Sequence, residues 1–223
     1  MKVVLHIGQH KTGTTALQNV LMGDRDRLLT NRILYPDSGH DRTPEGHVMA
    51  NHNGFFYAFE GNTGPRVGGT LDEIASQFAQ EVADTAPATV VISSEHAYIA
   101  ADAQEKHDYL GKLDAMLPRS CEVEVVAYLR RPDHYVTSWD RQLTRMGMKG
   151  LRALNSEARL DHLLGTCRLD YERAIRLYAD RYGSVRIFHY GQIGDTVAHF
   201  YREVLGLEPP AIEPGDTNPS LPS

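Results

Sequence analysis

Eight consecutive residues, Gly8-Gln9-His10-Lys11-Thr12-Gly13-Thr14-Thr15, have the make-up of a site for a phosphorylated ligand. Glycines at 8 and 13 let the backbone wrap closely, Lys11 supplies charge, and Thr14 and Thr15 can cap a helix and donate hydroxyls. The run Val3-Val4-Leu5-His6-Ile7 before them reads as a buried strand, and Thr14 to Met22 reads as a helix. A strand–loop–helix of this kind aims N–H groups and a helix N-terminus at an anion. The pattern approaches the G-x-x-x-x-G-K-[ST] loop of nucleoside triphosphate enzymes, with one departure. Thr14 stands where that loop has lysine, and the lysine lies inside the loop at position 11. From there it would sit over a group attached to a single 5′-phosphate, which suits a phosphosulfate better than a triphosphate. The plain alternative is a tight turn with no ligand.

A second cluster follows Val123 to Leu129, another strand-like run. It comprises Arg130-Arg131-Pro132 and then Ser138, eight residues after Arg130. Pro132 suits a helix start, which puts Ser138 on the second turn. Arg130 at the strand end and the Ser138 hydroxyl can then share one phosphate, the arginine through its fork of donors. Taken singly, each is also an ordinary surface arginine or helical serine.

Together the two clusters resemble the sulfotransferase family that uses 3′-phosphoadenosine 5′-phosphosulfate (PAPS). Leu5-His6-Ile7-Gly8-Gln9-His10-Lys11-Thr12-Gly13-Thr14-Thr15 is most similar to bacterial and carbohydrate-type members, and Tyr128-Leu129-Arg130-Arg131-Pro132 matches the second motif. Ile92-Ser93-Ser94-Glu95 and Asn218-Pro219-Ser220-Leu221 extend the resemblance, which does not cover residues 36–70. The late Arg-Lys-Gly loop of cytosolic members has no clear counterpart. The resemblance implies that residues 8–15 bind the 5′-phosphosulfate and that Arg130 and Ser138 bind the 3′-phosphate. It also implies that Lys11 and the loop amides stabilise charge on the bridging oxygen, with no metal. The acceptor would be a hydroxyl or amine of a carbohydrate, lipid or small molecule, and the product adenosine 3′,5′-bisphosphate.

Such a transfer also needs a base for the acceptor's proton. Glu95 and His96 follow the strand-like run Thr89 to Ile92, at the edge where open α/β sheets bind ligands. Glu95 can take the proton, hold an acceptor hydroxyl, or merely cap a helix. His10, within the loop, is an alternative base. Tyr35-Pro36-Asp37-Ser38-Gly39 followed by His47 looks like an acceptor-binding loop. Arg141, Arg145 and Lys149, spaced by four, form a basic stripe that can flank an acceptor cleft or be a solvated face.

The elements that must position these groups alternate strand and helix. With a fourth strand at Val185 to Tyr190 they predict a mainly parallel sheet in a three-layer α/β/α sandwich like that of P-loop nucleotide-binding proteins. Helices are expected at Leu71 to Thr85, Gln104 to Met116, Asp133 to Arg145, Asp170 to Tyr182 and Thr196 to Leu205. The chain of 223 residues fits one domain, 1–223, with 36–70 an irregular segment. At 41% hydrophobic and 23% charged, it has the composition of a globular protein. No apolar run approaches the length of a membrane span. Two cysteines exclude a disulfide framework and suit a reducing, cytoplasmic setting, and a net charge of −6 argues against a nucleic-acid partner. No His, Cys or carboxylate spacing implies a metal site. The competing readings are a kinase or nucleotide hydrolase with a variant loop, and a non-catalytic anion-binding module. Thr14 and the want of an Asp-ended strand for Mg²⁺ oppose the first. Lys11, Arg130 and Ser138 occurring together oppose the second.

Overall fold

The computed structural model describes residues 1–145, 156–167 and 169–211. Its centre is a five-stranded parallel sheet of order β2-β3-β1-β4-β5. The strands are β1 (Lys2–Ile7), β2 (Ile33–Leu34), β3 (Thr89–Ser94), β4 (Glu122–Leu129) and β5 (Val185–His189). In register, Val4 of β1 lies opposite Val91 of β3 and Glu124 of β4. Strands covered on both faces read as continuous apolar runs rather than alternating ones. Residues 3–7 of β1 are all buried, as that rule requires.

Alternate residues of these strands feed two cores. Val3, Leu5, Ile7, Val90, Ile92 and Val125 pack with α3 (Asn53–Phe59), α4 (Leu71–Thr85) and α7 (Tyr109–Met116). On the opposite face, Val4, Val91, Val126 and Tyr128 meet Leu17 and Leu21 of α1 (Thr14–Gly23), Leu28 of α2 (Arg25–Thr30), Val197 of α11 (Thr196–His199), and Phe200 and Tyr201. The three layers and the parallel sheet are those expected from the sequence.

Several boundaries differ for identifiable reasons. The expected helix at Gln104 to Met116 breaks at Asp108, which takes a left-handed φ of 47° and accepts a bond from the Gly111 N–H at 3.2 Å. The result is α6 (Gln104–His107) followed by α7. The expected helix at Thr196 to Leu205 is α11 for one turn and then a π-type turn, Phe200–Leu205. Two short helices, α2 and α5 (Glu95–Ala100), edge strand β2, and α9 (Ser156–Thr166) carry too little periodicity to announce themselves. The remaining helices are α8 (Pro132–Arg145) and α10 (Tyr171–Tyr182). Segment 36–70 is not irregular throughout: α3 lies within it and buries Phe55, Phe56 and Phe59. Lys149 and Asn218 to Leu221 lie outside the described residues.

Candidate active site

All five strands run parallel, so their C-terminal ends gather at one edge of the sheet. Gly8 follows β1, Glu95 follows β3, Arg130 follows β4 and Tyr190 follows β5. They meet α8 around a cleft of about 360 Å³ lined by His10, Lys11, Glu95, Arg130, Ser138 and Arg141, together with Gly13 to Ala16, Gln142, Arg145 and Tyr190. An edge of this kind is where open α/β sheets take their ligands.

The loop between β1 and α1 is shaped by close contacts. A Cβ at Gly8 would lie 2.4 Å from the Thr14 methyl group, so no side chain fits there. Gly13 has φ 78° and serves as the N-cap of α1, a place where Thr14 or Thr15 was expected to cap. Lys11 also adopts a left-handed φ, 71°, unusual for a residue with a Cβ. Inside the loop the Thr12 hydroxyl donates to the Gln9 carbonyl at 2.7 Å, and the Thr196 hydroxyl donates to the Thr12 carbonyl at 3.1 Å. None of the backbone N–H groups from Gln9 to Ala16 has an acceptor among the described residues. A loop held by its carbonyls with its amides left over is built to meet an anion.

Arg130 is tied to the same loop. Its N–H donates to the Gln9 side-chain oxygen at 2.8 Å, and its Nη1 donates to the Lys11 carbonyl at 3.0 Å. The Tyr171 hydroxyl donates to the Arg130 carbonyl at 2.8 Å, and the guanidinium sits 5.3 Å from the Tyr190 ring centre. Its Nε is buried without a partner. Ser138, on the second turn of α8, lines the same cleft, as do Arg141 and Arg145 one and two turns on.

The charges interact. Burial lowers the Lys11 pKa, and the positive charges of Arg145 and Arg130 lower it further. Burial likewise lowers the His10 pKa and favours a neutral imidazole, although the nearby Glu95 carboxylate pulls it the other way. The His10 ring lies 5.6 Å from that of Trp139. Glu95 opens α5 behind the Ser94 N-cap and is 6% exposed. Gln18 of α1 donates to its Oε2 at 3.1 Å.

Two expected site residues are elsewhere. His96 Nε2 pairs with Glu60 Oε1 at 2.7 Å, and its ring abuts Tyr57 outside the cleft lining. The reason is helical geometry: successive residues of α5 point about 100° apart, so Glu95 and His96 cannot share a face. His47 is exposed on the turn from Thr43, whose hydroxyl accepts its N–H at 3.3 Å, and it does not line the cleft. The residues that sequence reasoning missed are Gln18, Gln142 and Tyr190. Tyr190 was findable, because it ends a recognised strand at the binding edge. Gln18 was not, because its partner Glu95 is 77 positions away. Among the described residues no group of three His, Cys, Asp or Glu is placed to hold a metal ion, and no helix is long and apolar enough to cross a membrane.

These features define an α/β protein with a cleft at the C-terminal edge of a parallel sheet, lined by loop residues that include Lys11 and by Arg130, Arg141 and Arg145. The crystal structure of a sulfotransferase from Alicyclobacillus acidocaldarius is similar to it, with a TM-score of 0.54 and 16% identity over 97% of this chain and 88% of that one. The fold is therefore sulfotransferase-like. A tRNA isopentenylpyrophosphate transferase from Bacillus halodurans, at a TM-score of 0.35 and 14% identity over 92% of this chain and 96% of that one, is too different to carry any argument. No family model and no curated protein matches the sequence.

Proposed function

We propose that this chain is a PAPS-dependent sulfotransferase acting on a hydroxyl or amine of a carbohydrate, lipid or small molecule. The observation that carries the reading is the convergence of Lys11, the free loop amides, Arg130, Ser138 and Glu95 on one cleft from four separate parts of the chain. These residues suit the donor. The amides of residues 9–16 match a 5′-phosphosulfate, and the unpartnered Arg130 Nε with the Ser138 hydroxyl matches a 3′-phosphate. Tyr190, stacked on the Arg130 guanidinium, offers a flat apolar wall beside them.

In this reading the loop and Lys11 favour the negative charge that grows on the bridging oxygen as the S–O bond breaks. That interaction is worth more in the transition state than in the ground state. Glu95 takes the acceptor's proton, since it is the carboxylate that lines the cleft. His10, with its lowered pKa, is the alternative acceptor of that proton. His96, turned to Glu60, is the weaker candidate. Arg141 and Arg145 face the acceptor side, and no metal takes part.

The test is donor consumption. Purified protein with PAPS and a panel of sugar, phenol and amine acceptors should release adenosine 3′,5′-bisphosphate, with the rate unchanged by EDTA. Turnover of ATP that needs Mg²⁺, with none of PAPS, would replace this reading with the kinase one.

A further inference from the structure

Behind the cleft runs a buried chain of polar side chains with no part yet in the chemistry. Gln18 Nε2 lies 3.1 Å from Glu95 Oε2 and 3.1 Å from Ser93 Oγ. Ser93 Oγ in turn lies 2.8 Å from His6 Nδ1. His6 and Ser93 are fully buried, Gln18 is 3% exposed, and the four members come from four elements, β1, α1, the end of β3 and the start of α5.

The chemistry of the groups fixes which way each bond points. An ionised carboxylate only accepts, so the amide nitrogen of Gln18, not its oxygen, must face Glu95. That nitrogen has two hydrogens. One goes to Glu95 and the other to Ser93 Oγ. The serine's own proton is then left for His6 Nδ1, which requires a neutral imidazole protonated on Nε2. Burial holds His6 in that neutral state, with its pKa lowered to about 4. The donors from Ser93 to Glu95 therefore point consistently and the chain ends on Glu95, while at its far end His6 Nε2 is buried without a partner. Among the described residues no other group hydrogen-bonds the Glu95 carboxylate.

Cost argues against an accidental arrangement. Four polar side chains buried in the waist of an α/β core are expensive unless each bond serves a purpose. A glutamate that merely capped α5 would need none of them, because Ser94 already accepts from the Ala97 N–H at 3.2 Å. Gln18 also lies one turn beyond Thr14, on the helix whose N-terminus closes the anion loop. The element that holds the loop therefore also holds the carboxylate.

We infer that Gln18 is a positioning residue. It clamps the Glu95 carboxylate in place to receive the acceptor's proton, and Ser93 and His6 lock its amide in the donating orientation. The inference rests on the sulfotransferase reading and names a part of its machinery that never touches the substrate.

A double-mutant cycle on PAPS turnover tests it, with adenosine 3′,5′-bisphosphate binding as the control. Gln18→Met keeps the side chain's length and removes both donors. It should lower kcat by roughly 10²-fold, as misplacement of a reacting group does. The KM for PAPS and the bisphosphate affinity should stay within about twofold, because Gln18 does not line the cleft. In a Glu95→Gln background the same change should have almost no further effect, because the group it positions is already disabled. If Gln18→Met lowers kcat equally in both backgrounds, or lowers bisphosphate affinity in step with kcat, Gln18 is structural and the inference is overturned. Should Gln18→Met not fold, Ser93→Ala replaces it. That change should give a smaller fall in kcat, again absent when Glu95 is Gln, and an equal fall in both backgrounds overturns the proposal. A wild-type protein that binds neither PAPS nor its bisphosphate product refutes the sulfotransferase reading and the role of Gln18 with it. Normal wild-type turnover beside an unimpaired Gln18→Met refutes the clamp alone.

Discussion

Two stretches of this chain look equally loop-like in sequence and are opposite in physics. Residues 9–16 leave their N–H groups without acceptors among the described residues, while residues 35–52 meet most of their polar groups within the segment or on its neighbours, Ser38 Oγ and His40 Nε2 excepted. In the second stretch the Tyr35 hydroxyl donates to the Ala50 carbonyl, His40 Nδ1 donates to Asn51 O at 3.0 Å, and His52 Nε2 donates to Pro36 O at 3.1 Å. His52 Nδ1 accepts from the Ser93 N–H at 3.1 Å, which joins this segment to the end of β3. The His40 and His52 rings stack at 4.5 Å, and Asp41 holds Arg66 at 2.8 Å. A loop with unmet donors is a place for a ligand. A loop whose donors are mostly met within the fold is scaffold, however rich it is in histidine.

The sharpest way to break that contrast is Lys11→Ala. Turnover of PAPS should fall by about 10²–10³, as for loss of one preorganised charge, with the melting temperature little changed. A drop in stability with turnover intact would make the loop the scaffold. Acid tests the other side. His6 is fully buried with a pKa near 4, so from pH 6.5 downward the unfolded chain takes up a proton that the folded one refuses. Stability is therefore full above pH 6.5 and falls as pH drops towards 4, by about 3 kcal/mol from this group alone. Burial lowers the pKa of His40 and His52 too, so they act in the same direction. Thermal melts between pH 4 and 7 should show that slope, and His6→Leu should flatten it.

His52→Ala sharpens the contrast further. It leaves the Ser93 N–H and the Pro36 carbonyl without partners and should cost about 3 kcal/mol in denaturant unfolding. Bisphosphate affinity should be retained below the unfolding transition. The smallest expected effect belongs to His47→Ala. The side chain is exposed and outside the cleft lining, so stability should move by less than about 0.5 kcal/mol and turnover should hardly change. Abolished turnover in that variant would bring segment 36–70 back into acceptor binding.

Much of the architecture was legible because the central strands advertise themselves. Val3 to Ile7 and Thr89 to Ile92 are buried on both faces and therefore uniformly apolar, and parallel strands with helical crossovers leave few topologies. The cleft members at strand ends, Glu95 and Arg130, and the loop that Gly8 opens follow from that topology, and Ser138 follows from Pro132 as a helix start. The break at Asp108 was not legible, because a left-handed aspartate inside a helical pattern depends on a cap its own side chain makes. Nor was the burial of His40 and His52, whose stacking joins residues that no period relates. Gln18 shows the same limit from within the site: a helical glutamine is unremarkable until β3 brings Glu95 against it.

The central claim is that Arg130 and Ser138 read a 3′-phosphate while the 8–15 loop holds the 5′ group. Calorimetry with adenosine 3′,5′-bisphosphate and AMP, on the wild type and on Arg130→Ala, tests it most directly. The account predicts much tighter binding of the bisphosphate than of AMP by the wild type. It also predicts that Arg130→Ala costs about 1.5–3 kcal/mol on the bisphosphate, as for a lost charge-assisted hydrogen bond, and little on AMP. Equal affinity of the wild type for the two nucleotides would contradict it.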